Sequence, residues 1–210
     1  MIGASGANGH GPPNNGDFLD GAGPEPQPPP LVAEMAEACV RFVERATGVK
    51  LDYAPDTLSL LDHYVSAAAI EAKGKPEALD LVARSVAAYL GEVVRRRYDA
   101  WWHSPGDDIA GYEVRFAPVY LSISPYLLAC ASLGIEVESE DGSMPGIVID
   151  EDEVDDIAQH LAKMPPVSED EFVLPSTRAD VIEIVVDQLK ARAELRGHGD
   201  VTFDDRDYEG

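Results

Sequence analysis

The chain is 210 residues long, with 16 Lys and Arg against 39 Asp and Glu, a formal net charge of -23. Such a field repels DNA, RNA and anionic lipid, and it attracts a basic protein surface or loosely held cations. No apolar run approaches the roughly 18 residues of a membrane span, and the length suffices for one sizeable core.

Residues 1–30 have no Lys or Arg, few large apolar groups and dense Gly and Pro. They are expected to stay disordered, because too little surface can be buried to offset the entropy of ordering them. They also lack the basic start and apolar run of a secretory signal, so the cytoplasm is the expected compartment. Cys39 and Cys130 lie in apolar helix-like sequence and read as small core residues, not a disulfide framework.

LVAEMAEACVRFVERATG, residues 31–48, places Leu31, Met35, Cys39, Phe42 and Ala46 on one helical stripe, and Thr47 and Gly48 end it. Asp56 or Thr57 is expected to cap a second helix to about residue 70, packed through Leu58, Leu61 and Val65. Pro76 opens a third helix that runs to about Arg97. Leu79, Val82, Ala83, Val86, Leu90 and Val93 outline its buried face. Gly91 sits inside that face despite its helix penalty, which predicts close approach by a neighbouring element.

After His103 the period changes. Tyr112, Val114 and Phe116 alternate with Glu113 and Arg115, which predicts a half-buried strand, with Tyr120–Ile123 as an antiparallel partner. Pro125 then starts an apolar helix. Residues 136–146 read as an exposed connection, IVID as a short strand, and EDEVDDIAQHLAKM as an acidic helix. The last helix follows PPVSEDEFVLP, capped by Ser176 or Thr177 and packed through Val181, Ile184, Val185, Leu189 and Ala193. GHGDVTFDDRDYEG is expected to be a partly mobile end. The predicted fold class is α+β, a predominantly helical domain with a small antiparallel hairpin or sheet. The organisation divides into a tail (1–30), a helical core plus hairpin (31–134), an acidic connection and helix (135–175), and a last helix with a mobile end (176–210).

Arg95, Arg96 and Arg97 stand at the C-terminal end of the third helix, where positive charge complements the exposed carbonyls. On a helix they point in three directions about 100° apart, so they cannot form one clamp. Adjacent Trp101 and Trp102 on an extended backbone face opposite ways, one as a core anchor. YLGEVVRRRYDAWW resembles the helix-to-strand junction of small, largely uncharacterised bacterial α+β domains, some of them toxin-immunity candidates. The matching positions are Tyr89, Leu90, Gly91, Glu92, Val93, Trp101 or Trp102, and Pro125. The resemblance spans roughly residues 31–134 and departs from the pattern by lacking a glycine pair before the tryptophan. It implies an architecture and carries no catalytic residues over.

No catalytic set, cofactor or metal site is assigned. DEDEVDD, 150–156, fails the EF-hand pattern: counted from Asp150, the sixth position is Asp155 and the twelfth Leu161, where glycine and glutamate are required. His160 follows Asp156 by four residues, far short of a metal site. No nucleophile elbow, Walker loop or dinucleotide fingerprint occurs.

The acidity is localised: residues 135–175 carry 13 acidic side chains and one basic. The expected function is therefore a non-enzymatic protein-interaction module, regulatory or immunity-like, that binds a partner with a basic surface and neither nucleic acid nor membrane. Asp150, Glu151, Asp152, Glu153, Asp155 and Asp156 supply the charge, and Arg96, Tyr98 and Trp102 a more specific contact. The alternative is a metal-assisted hydrolase built on Asp107, Asp108, Asp150 and Asp152.

Overall fold

Pro30 and Gly48 bracket the first helix, α1 (Pro30–Thr47). Proline supplies a first-turn position without a wasted amide, and Gly48 takes φ +76°, the left-handed cap that only glycine adopts freely. The structure, a computed structural model, describes residues 27–136 and 145–209. The Gly/Pro-rich stretch up to residue 26 and most of the 136–146 connection lie outside the described residues.

The fold is α+β, predominantly helical with a small antiparallel sheet. After α1 come α2 (Leu58–Glu71), α3 (Pro76–Arg97), β1 (Ala100–His103), β2 (Glu113–Phe116), β3 (Leu121–Ile123) and α4 (Pro125–Ser132). β4 (Ile147–Ile149), α5 (Glu151–Leu161), α6 (Glu169–Phe172) and α7 (Pro175–Leu195) complete the series. The strands lie in the order β1-β2-β3-β4, every neighbouring pair antiparallel.

The centre of the molecule is α3. From Ser85 to Arg95 every residue is buried, so this helix is enclosed on all sides rather than along one stripe. α1 packs on one side of it, α4 on another, and the sheet meets its C-terminal half. The Ala-Ala-Tyr-Leu-Gly run makes this close packing possible. Gly91 shows the reason most directly: a Cβ there would lie 2.2 Å from the Trp102 ring. The predicted close approach is present, and the neighbour is β1.

Two helices differ from expectation. Neither Ser176 nor Thr177 caps α7, which begins at Pro175 with Leu174 in the cap position. Asp62 of α2 does the work across the α2–α7 contact, accepting the Ser176 amide at 3.0 Å and its hydroxyl at 2.5 Å. The short α6 was not anticipated, although its signal is written in the sequence. Ser168 and Glu171 form a reciprocal capping box, the S-x-x-E pattern of a helix start.

Residues 203–208 depart most from expectation. Instead of ending free, they cross the outer face of the sheet and close with a 3₁₀ turn at Asp205–Tyr208. Phe203 donates its amide to the Ala117 carbonyl at 2.8 Å. The Tyr208 hydroxyl accepts the Leu121 amide at 3.1 Å and donates toward the Phe116 carbonyl at 2.8 Å. This strap explains a second difference. Arg115, expected on a solvated strand face, is only 6% exposed, because Asp205 and Tyr208 lie over it.

Candidate functional site

The three consecutive arginines go to three places. Arg95 turns inward and donates to Glu92 through Nε at 2.7 Å and Nη2 at 3.2 Å. Arg96 is exposed, yet its Nε reaches the other side of the same carboxylate at 3.2 Å. Arg97 pairs with Glu183 of α7. Acid from the 107–113 approach to the hairpin meets none of them: Asp108 pairs with Arg84 and caps the 3₁₀ turn at Ile109–Gly111.

Glu92 is the hub. It is 1% exposed and accepts a further bond from Trp102 Nε1 at 2.8 Å. Burial alone would push its carboxyl pKa up. The hydrogen bonds from Arg95 and Trp102 and the charges of Arg95 and Arg96 pull harder the other way, and hold it below the usual glutamate range. Above this hub the Arg96 guanidinium lies 3.8 Å from the centre of the Tyr53 ring, which stacks on Tyr89 at 4.8 Å. Tyr53 has φ +65°, a left-handed conformation costly for an aromatic residue, and its backbone N–H donates a hydrogen bond to the Tyr89 hydroxyl at 2.8 Å.

The tryptophans divide as an extended backbone requires. Trp102 faces α3 as the anchor against Gly91. Trp101 faces the strap, donating from Nε1 to Asp205 at 2.7 Å with Tyr208 at its edge. Of the three specific contacts expected from sequence, Arg96 remains available on the surface. Trp102 is committed to Glu92, and Tyr98 packs on Phe116 with its hydroxyl buried and, among the described residues, unpartnered.

The acidic helix divides in the same manner. Asp150 is the N-cap of α5 and accepts the Asp152 amide at 2.9 Å. Glu153 is not on the exposed face. It is 7% exposed and faces Arg192 of α7 and Arg196 just after that helix, the Arg192 contact being an ion pair without hydrogen-bond alignment. Asp156 also meets Arg192, at 2.5 Å, and not His160. The exposed residues of α5 are therefore Glu151, Asp152, Val154, Asp155, Asp156, Ala158 and Gln159. Glu151, Val154, Asp155 and Ala158 follow one another at i, i+3, i+4 and i+7, a single ridge.

Asp107 and Asp108 lie in the β1–β2 connection, next to the Glu113 end of β2. Asp150 and Asp152 follow β4 at the Leu121 end of β3, the opposite end of the sheet. The four carboxylates of the hydrolase reading are thus not brought together. Among the described residues, no three His, Cys, Asp or Glu side chains are grouped to hold a metal ion. Both cysteines are buried and unpaired, and burial pushes the Cys39 thiol far up. A cavity of about 250 Å³ lies between the strap, the N-terminal end of α5 and the last turns of α7, with Tyr120, Phe203, Glu153, Arg196 and His198 in its wall. No helix among the described residues is long and apolar enough to cross a membrane. No family model, curated protein or solved structure matches the chain.

Proposed function

We propose that this chain is a non-enzymatic protein-interaction module whose acidic helix face receives a basic, amphipathic segment of a partner protein. The observation that carries the reading is the composition of the α5 ridge. Glu151 and Asp155 flank Val154, which is 39% exposed, and Val148 on the neighbouring strand is 55% exposed. Arg192 and Arg196 pair with the buried Glu153, and Arg192 also with the half-exposed Asp156, while Glu151 and Asp155 have no ion pair among the described residues. Acid interleaved with aliphatic side chains suits a helix that carries Lys or Arg beside Leu. The charges steer encounter and the aliphatic contact holds the complex. Arg96, propped on Tyr53, offers a second, cationic contact. The regulatory or immunity-like role is proposed from the resemblance of the Tyr89–Trp102 junction alone.

The test uses the full chain and a synthetic amphipathic Lys/Leu helix, with an acidic Glu/Leu helix as control. Binding to the basic peptide is expected to weaken as salt rises. Glu151→Lys with Asp155→Lys is expected to lower the affinity at least about tenfold at low salt, the effect of placing like charges opposite one another. Equal binding of both peptides, or an affinity indifferent to the charge reversal, would overturn the reading.

A further inference from the structure

The strap that crosses the sheet behaves as a bound peptide does. None of the residues in its 3₁₀ turn is buried, and it is tied to the rest of the molecule by a small number of specific contacts. Phe203 packs edge-on against Tyr120, ring centres 5.8 Å apart. Asp205 accepts from Trp101 Nε1 at 2.7 Å and from Arg115 at 3.2 Å, with His103 Nδ1 at 3.7 Å. Tyr208 stacks on Tyr120 at 4.8 Å and takes the Arg115 guanidinium on its face at 5.1 Å. Its hydroxyl reaches through to the backbone of the β2–β3 turn. The receptor side is therefore two aromatic rings around one guanidinium, bordered by an open amide and carbonyl. This arrangement reads an acidic side chain placed between two aromatic ones.

The connection to α7 suits a detachable element. Gly197, at φ +77°, ends the helix, and Gly199 follows, so the chain leaves without a rigid spacer. The chemistry of this seat is also opposite to that of the α5 ridge: it selects an anion where the ridge selects a cation.

We propose that the outer face of β1 and β2 with the adjoining β2–β3 turn, built on Trp101, Arg115 and Tyr120, is a recognition groove for protein segments of the pattern Phe-x-Asp-x-x-Tyr, occupied in cis by residues 203–208. An intramolecular ligand on so short a tether acts at an effective concentration of order millimolar, so an outside segment enters only after the strap is displaced or weakened. This second binding surface does not depend on the proposal for α5.

The test compares the wild-type chain with full-length Asp205→Ala/Tyr208→Ala, titrating each with a fluorescent peptide of residues 201–209. The variant is expected to bind the peptide at least about tenfold more tightly than the wild type, because its own strap no longer competes. A peptide carrying Asp205→Asn and Tyr208→Phe is expected to lose that binding. A folded variant that binds the peptide no better than the wild type overturns the proposal. Amide exchange of the wild-type chain decides the matter if the variant fails to fold. The Leu121 amide, held by Tyr208, is expected to exchange at least about tenfold faster than that of Leu90 in α3, because the strap opens before the core does. Equal rates mean that the strap detaches only with global unfolding, and that also overturns the proposal.

Discussion

Glu92 shows how much one residue decides in this molecule. A lone carboxylate in the centre of a fully enclosed helix would be untenable; three donors make it tenable. Glu92→Gln keeps the shape and removes the charge, which leaves the nearly buried Arg95 guanidinium uncompensated. The expected loss of stability at neutral pH is about 3–5 kcal/mol, as for breaking other buried ion pairs, read by urea denaturation. The pH dependence has a definite sign. The folded-state pKa of Glu92 lies below its unfolded value, so its contribution is complete above the ordinary glutamate value of about 4.3 and is lost as pH falls through the folded value. The gap between wild type and variant is therefore expected to narrow on acidification below about pH 4. A gap that stays constant from neutral to acidic pH would show that the carboxylate is not what holds the cluster.

Between elements, the decisive contact is α3 against β1, made through Gly91 and Trp102. An alanine in a helix interior is ordinarily worth about 1 kcal/mol over glycine, so propensity alone favours Gly91→Ala. Packing opposes it, since the new methyl would overlap both Trp102 ring carbons at 2.2 and 2.4 Å, with Pro125 at 3.1 Å behind. A ring pinned by its bond to Glu92 cannot swing aside. Overpacking of this kind costs about 1–3 kcal/mol, so the variant is expected to melt at a lower temperature than the wild type. A melting temperature that rises would mean that β1 yields easily. Elements signalled by their own residues were legible in the sequence: α1 as residues 31–48, α3 from Pro76, the β2–β3 hairpin and the acidic helix α5. β1 was harder to see, because four residues with two adjacent tryptophans have no alternation of their own and become a strand only by pairing with β2.

For the molecule as a whole, charge is the dominant constraint. A net charge of -23 on 210 residues is a standing repulsion, because it is what remains after all 16 Lys and Arg are set against the 39 acids. Screening relieves the repulsion among exposed acids more than it weakens the partly buried pairs. The melting temperature is therefore expected to rise from low salt to about 0.5 M sodium chloride, where the Debye length has shrunk to a few ångströms. A fall over that range would mean that the pairs, and not the surplus, govern stability.

Amino-acid order alone determined the helices, the strand alternation, the need for a close neighbour at Gly91 and the opposite facing of Trp101 and Trp102. All of these follow from interactions within a few residues of each other. Tertiary structure decided which charges face inward. Glu153 and Glu151 sit two positions apart in one acidic run, yet α7 lies under only the first of them. It also decided that Asp205 meets Trp101, 104 residues earlier, and so turned an apparent loose end into a strap. A periodicity reports which side of an element is apolar. The identity of the partner depends on where distant parts of the chain come to rest, and no local pattern records that.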